Sequence, residues 1–267
     1  MEKRPIGIFD SGVGGLTVFK EIRKQFPNED IVYFGDTARV PYGPKSKNTI
    51  KEYSLQNARF LMQQNAKIII IACNTASSVA VNFLRRNMNI PVIGVISPGA
   101  EYAVLTTKHK KVGIIGTEGT IRSKAYPTAI KDIENSIEVF SKACPLFVSI
   151  VEEGWESHSI TKDIIKEYLS EIKDKDIDTL VLGCTHYPIL KSAIKEFMGN
   201  DVNIIDSALV VAEKLKDIIP NPEKRGKGKN RFFVSDNETK FKEIAERIIE
   251  KKIKNLTRVK LGEVWYL

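Results

Sequence analysis

The sequence predicts an α/β protein built on parallel sheets, and three observations carry that prediction. Short β-branched or aromatic runs alternate with helix-period stretches along the chain. Two of those runs, 67–72 and 179–183, are almost continuously apolar, as expected of strands covered on both faces. The pattern also repeats internally. Asp10 ends one strand and Cys73 follows another 63 residues later, while Thr117 ends a strand and Cys184 follows another 67 residues later.

The elements follow in order. Residues 5–9 form a short strand ended by Asp10-Ser11-Gly12-Val13-Gly14-Gly15, and a helix follows with Leu16, Phe19 and Ile22 on one face. A strand is expected over 30–34 and a helix over 48–64, with Ile50, Tyr53, Phe60 and Leu61 inward. The strand at 67–72 leads to Cys73, and another over 90–96 is closed by Ser97-Pro98-Gly99. The second half repeats the pattern: strand 111–115, helix 121–132, strand 137–140, helix 162–173, strand 179–183 and strand 202–205. A helix over 209–218, a basic loop, a strand over 231–234 and a helix over 238–252 complete the chain.

Composition bounds the function. With 42% hydrophobic and 28% charged residues over 267 positions, the chain is an ordinary globular protein. The N-terminus is too quickly polar for a signal peptide, and no apolar run approaches membrane-spanning length, so a cytoplasmic protein without membrane partners is expected. Three cysteines, none near another, argue for reduced thiols. The net charge of +8 is scattered among acids, and the dense stretch Lys224-Arg225-Gly226-Lys227-Gly228-Lys229 has no interleaved aromatics. It reads as a solvated loop, so no nucleic-acid partner is expected.

The chemistry lies in the thiols. A lone cysteine is ordinarily a small apolar core residue, and Cys144 keeps that reading. Cys73 and Cys184 differ because they occupy equivalent strand ends, where parallel sheets place ligands. Inverting a carbon needs a base on one face and an acid on the other, and a thiol titrating near pH 8.5 can serve in either state. Asp10 and His186 are placed to orient the thiols or relay protons, although Asp10 also reads as an N-cap and His186 as a satisfied polar residue. Ser11, Asn74, Thr75, Thr117 and Thr185 supply donors suited to carboxylates, or equally to caps and turns. The glycine-rich loop does not match G-x-G-x-x-G, and no P-loop is present.

Four segments together resemble bacterial glutamate racemases. They are Asp10-Ser11-Gly12-Val13-Gly14-Gly15-Leu16, Asp36-Thr37-Ala38-Arg39-Val40-Pro41-Tyr42-Gly43, Ala72-Cys73-Asn74-Thr75-Ala76-Ser77 and Gly183-Cys184-Thr185-His186-Tyr187-Pro188. The resemblance spans about residues 6 to 210. It implies two α/β domains related by a pseudo-twofold axis with the active site in the cleft between them: 1–97 completed by 207–267, and 98–206. It implies that Cys73 deprotonates D-glutamate and Cys184 deprotonates L-glutamate, assisted by Asp10 and His186, with Glu152 near Cys184. Substrate contacts would come from Tyr42, Gly43, Asn74, Thr75, Thr117 and Thr185. The resemblance also implies no pyridoxal phosphate or metal cofactor, and D-glutamate destined for peptidoglycan. The family ordinarily has proline where this chain has Ser149, so a somewhat different loop is expected before Glu152.

Other readings stay open on sequence alone. They are an aspartate racemase, a cysteine hydrolase using Cys184 and His186, a zinc site of Cys73, Cys184 and His186, and a non-enzymatic carboxylate binder. The two-residue spacing of Cys184 and His186 makes the hydrolase pairing awkward on a strand end, and the zinc site lacks a fourth ligand. The apolar residues of the last helix and of the tail Val264-Trp265-Tyr266-Leu267 suit either a homodimer contact or packing onto the first domain.

Overall fold

A computed structural model describes residues 4–219 and 226–261. The elements are β1 (Ile6–Asp10), α1 (Leu16–Gln25), β2 (Ile31–Gly35), α2 (Lys47–Gln63), β3 (Ile68–Ile71), α3 (Asn74–Asn87), β4 (Val92–Gly94) and α4 (Ile96–Thr106). They continue with β5 (Lys111–Gly116), α5 (Glu118–Ser123), α6 (Ala125–Ile133), β6 (Glu138–Ala143), α7 (Leu146–Glu152), α8 (Ser159–Lys173), β7 (Thr179–Gly183), α9 (Lys191–Met198) and β8 (Asn203–Asp206). The last are α10 (Ser207–Ile218), β9 (Asn230–Val234), α11 (Glu238–Ile249) and β10 (Leu256–Arg258).

Two wholly parallel sheets result, both flanked by helices. One has the order β10-β9-β2-β1-β3-β4 and the other β6-β5-β7-β8. The run β2-β1-β3-β4 repeats as β6-β5-β7-β8, with β1 equivalent to β5 and β3 to β7. The sequence echo is therefore a topological one. Asp10 and Thr117 stand at the ends of equivalent strands, as do Cys73 and Cys184.

Strand periodicity explains the packing. In β3, Ile68 and Ile70 enter one core cluster with Ile6, Ile8 and Tyr33, while Ile69 and Ile71 enter the opposite one with Phe9 and Phe34. Likewise Leu180 and Leu182 face one core of the second sheet and Val181 the other. Alternate side chains pointing to opposite faces make every strand position apolar when helices cover both faces. Each buried isoleucine contributes roughly 1.5–3 kcal/mol by leaving water.

Several local expectations are corrected. Ser97-Pro98-Gly99 does not close a strand but lies in the first turn of α4. Proline is tolerated there because a helix's first N–H groups have no internal acceptor. The helix expected over 121–132 is two helices, broken at Lys124, which adopts a left-handed conformation (φ +57°). Pro127 then falls in the first turn of α6, for the reason that admits Pro98 to α4. The strand expected over 137–140 is β6, displaced toward Ala143. The segment before Glu152 is not a loop but α7, which runs through Ser149. Phe241, Ile244, Ala245 and Ile248 of α11 are buried in the first sheet's core. Residues 1–3, residues 220–225 with the first two residues of the expected basic loop (Lys224 and Arg225), and residues 262–267 with the Val264–Leu267 tail lie outside the described residues. No described helix is long and apolar enough to cross a membrane.

Candidate active site

Cys73 follows β3 and caps α3, where its sulfur accepts the Ala76 N–H at 3.5 Å. It is buried, and burial pushes the thiol up to about 12; the Asp10 charge pushes the same way, while the Ala76 N–H and the Ser11 hydroxyl pull it down. Asp10 is fully buried at the end of β1. Its Oδ2 accepts the Gly12 N–H at 2.9 Å, and Gly15 N–H also faces it. Burial raises its proton affinity against the opposing influence of His186, those two N–H groups and Thr185. Asp10 is not the cap of α1; that position is Gly15, which makes no side-chain cap bond.

Cys184 follows β7 immediately, and its sulfur lies 3.8 Å from His186 Nδ1. The other ring nitrogen, Nε2, lies 3.1 Å from Glu152 Oε1 at the C-terminus of α7. Burial acts to lower the imidazole, but hydrogen bonds to Cys184 and Glu152, with their charges, raise it to about 10. Glu152 is held below the usual carboxylate range, chiefly by the His186 hydrogen bond. The neighbouring Glu153 points elsewhere, 3.7 Å from Lys240, and is exposed. The two-residue spacing expected to hinder a Cys184–His186 contact does not, because the chain leaves β7 at Gly183 and turns into a short 3-10 helix over Tyr187–Leu190.

Contacts between the two strand-end clusters close the site. Thr185 Oγ1 donates to Asp10 Oδ1 at 3.4 Å, and Thr17 Oγ1 donates to the Thr185 carbonyl at 3.0 Å. On the other side, Thr75 Oγ1 lies 2.8 Å from Thr117 Oγ1 and 3.2 Å from Thr120 Oγ1. Cys73 and Cys184 are near enough that the charge of one acts on the other. Two thiols from equivalent strand ends, each beside its own proton-handling partner, are suited to acid–base work on opposite faces of one carbon.

The Asp/Glu/Hydantoin racemase family model matches residues 6–215. The chain belongs to the Asp/Glu/Hydantoin racemase family. It is an isomerase of the racemase class. Similar proteins include the glutamate racemase of Sulfurihydrogenibium sp., 51% identical over 92% of this chain and 94% of that one. The glutamate racemase of Geobacter metallireducens is 48% identical over 98% of each chain. Among solved structures, a glutamate racemase isoform from Bacillus anthracis superposes with a TM-score of 0.93 at 41% identity, covering 97% of this chain and 98% of that one. The glutamate racemase from Francisella tularensis, in complex with D-glutamate, gives 0.92 at 42% identity, covering 98% and 99%.

In this racemase, Asp10, Ser11, Cys73, Glu152, Cys184, Thr185 and His186 come together, as do Thr75 and Thr117. Gly43 packs beside Thr117, where a Cβ would meet the threonine's own at 3.4 Å. Two expected contact residues have their polar atoms engaged elsewhere. The Asn74 Oδ1 accepts from Tyr126 at 2.8 Å and its Nδ2 donates to Ser207 at 3.4 Å. The Tyr42 hydroxyl donates to Asp36 and accepts from Asn57 at 3.1 Å. Cys144 is fully buried in the second core. Among the described residues, no group of three or more His, Cys, Asp and Glu side chains is arranged to hold a metal ion.

The 36–43 loop is fixed by a network that no motif spacing marks. Both oxygens of buried Asp36 accept from Arg39 Nε, at 2.9 and 2.7 Å, and Oδ1 also accepts from Ser235 at 3.0 Å. Arg39 continues to Asn57 at 2.9 Å and to Gln56, and its guanidinium stacks 4.1 Å over the Tyr53 ring. Asp36 and Arg39 stand inside one of the four motif segments, but their spacing alone assigns them no role. Thr120, by contrast, stands at the cap spacing, three positions after Thr117, whose hydroxyl accepts its N–H.

Proposed function

We propose that the protein is a glutamate racemase that interconverts L- and D-glutamate by two-thiol proton transfer without a cofactor. The observation that carries the reading is the pairing itself. Cys73 has Asp10 and Ser11 beside it, Cys184 has His186 and Glu152, and the two groups meet through Thr185 and Asp10. The substrate named for the relatives at 45–51% identity, and the D-glutamate held by the Francisella tularensis relative, support glutamate.

Cys184 removes the α-proton of L-glutamate, and Cys73 removes that of D-glutamate. In each direction the C–H bond breaks as one sulfur gains the proton. The thiol on the opposite face then gives its own proton to the carbanion, so one turnover only exchanges which sulfur is protonated. Burial and the Asp10 charge push the Cys73 thiol up to about 12, and hydrogen bonds to Cys184 and Glu152 raise the His186 imidazole. Ser11, Thr75, Thr117 and Thr185, with backbone N–H groups at the start of α3 and in the Tyr42-Gly43 segment, supply donors for the carboxylates. The Asn74 side chain acts in this reading by holding the start of α3 against Tyr126 and Ser207.

The two sheets correspond in this reading to domains 1–97 plus 207–267 and 98–206, with the reaction at their junction. D-glutamate as a peptidoglycan precursor is the biological role that fits. The test is α-proton exchange of L- and D-glutamate in deuterated water without added cofactor, for wild type, Cys73→Ser and Cys184→Ser. Racemisation with deuterium incorporation is expected, falling about 10²–10⁴-fold in each variant. Inert glutamate with turnover of aspartate would overturn the substrate, and full activity in either variant would overturn the mechanism.

A further inference from the structure

Glu152 reaches His186 from the last residue of α7, and the turn after it is gripped from a distant part of the chain. Arg247 belongs to α11, whose apolar face lies in the first sheet's core, whereas α7 packs into the second sheet's core through Phe147, Ile150 and Val151. The guanidinium crosses between them. Its Nη2 donates to the Val151 carbonyl and, at 3.5 Å, to the Glu152 carbonyl. Its Nε lies 3.3 Å from Glu156 Oε1.

The turn is shaped to receive it. The Gly154 N–H bonds back to the Val151 carbonyl at 3.2 Å and the Trp155 N–H to the Ile150 carbonyl at 2.9 Å. Gly154 has φ +75°, and a Cβ there would lie 2.6 Å from Arg247 Nη1. A glycine is therefore needed twice over, for the backbone conformation and for the guanidinium lying against it. A cation at the carbonyl end of a helix also satisfies acceptors that have no partner inside the helix.

We propose that Arg247 is a positioning residue whose grip on the Val151–Glu156 turn keeps the Glu152 carboxylate on His186. This deepens the two-thiol reading above and rests on it for its catalytic consequence. Small displacements of Glu152 matter because the contact it makes is a single 3.1 Å hydrogen bond to a buried ring. The titratable groups facing His186 are Cys184 in its own turn, Glu152 from α7 and Asp10 from the end of β1, and Glu152 is additionally faced by Lys240 of α11. Releasing the turn weakens the Glu152 contribution and leaves the others in place. The first sheet's last helix thereby sets the proton affinity of a group in the second sheet's half of the site.

The test is the titration of His186, followed by NMR in histidine-labelled full-length protein, for wild type, Arg247→Met and Arg247→Lys. His186 is the buried histidine, His109 and His158 being exposed. In Arg247→Met the His186 midpoint is expected to fall by about one pH unit or more, a tenfold or greater loss of proton affinity. The kcat for glutamate is expected to fall about tenfold with KM changed less than about twofold. Arg247→Lys keeps the charge but not the fork, and should recover part of both. An unchanged His186 midpoint in folded Arg247→Met overturns the proposal, and should that variant not fold, an unchanged midpoint in Arg247→Lys does so. If the midpoint moves while glutamate is inert in wild type, the clamp stands and the substrate assignment falls.

Discussion

The Glu152 carboxylate lies 3.1 Å from His186 Nε2, while the opposite nitrogen of the same ring lies 3.8 Å from the Cys184 sulfur. One imidazole thus joins a part-exposed acid to a buried thiol. Both hydrogen-bond partners favour the charged ring, and together they outweigh the burial that opposes it.

That balance predicts a pH window for stability. His186 rises from an ordinary 6.5 to about 10 on folding, so its contribution is complete below about 6.5 and is lost as pH climbs through about 10. Glu152 is shifted down from 4.5, so its share is present above that value and is lost as acid protonates it. The Tm difference between wild type and Glu152→Gln should therefore be widest between about pH 5 and 6.5 and shrink toward pH 10. Thermal melts across that range check it; a difference independent of pH would remove the charged His186–Glu152 pair from the account.

On the other thiol the local charge works in the opposite sense. Asp10 is a carboxylate facing Cys73, and with burial it opposes the thiolate. Asp10→Asn removes that opposition. The rate of Cys73 alkylation by iodoacetamide, measured against pH in a Cys184→Ser background, should rise at lower pH than in the Asp10 protein. An unshifted profile would mean that burial alone sets the thiol.

Much of this site can be read from the order of residues, and the reason is local. Strands of the Ile68–Ile71 kind are apolar at every position because both faces are covered, and the first polar residues after them mark the sheet edge. Cys73, Cys184, Asp10 and Thr117 are all found by that rule. What escapes is whatever depends on contacts between distant segments. Arg247 meets Val151 across 96 positions, and Ser235 meets Asp36 across 199. Neither leaves a periodicity or a spacing. The break between α5 and α6 escapes for a different reason, because the left-handed residue is Lys124 rather than a glycine.

The threonine cluster should bear on stability as well as on binding. Thr117 caps α5 by accepting the Thr120 N–H at 3.3 Å, and its hydroxyl lies 2.8 Å from that of Thr75. Thr117→Val removes the cap and leaves Thr75 short of a partner, at a cost of about 1–2 kcal/mol. Thr117→Ser retains both contacts and should cost much less. Urea midpoints of the two variants measure the difference, and equal midpoints would show the hydroxyl to be without structural consequence.

The glycine loop, which does not match the dinucleotide-binding spacing, serves in the structure as a spacer. A Cβ on Gly14 would lie 2.5 Å from His186 Cε1 and Nδ1 and 2.5 Å from Thr185 Oγ1. Those are the nitrogen that faces Cys184 and the hydroxyl that donates to Asp10. Gly14→Ala must therefore displace the ring, the threonine or the loop. Because misplacing a catalytic group by about 1 Å can cost on the order of 10²-fold in rate, kcat should fall by about that factor. The overall fold should survive, since the strain falls on side chains at a strand end rather than on either core. Circular dichroism together with racemisation kinetics separates the two effects. Wild-type kcat in folded Gly14→Ala would mean that the Thr185–His186 turn moves freely, and that its fixed placement against Asp10 is not what the chemistry requires.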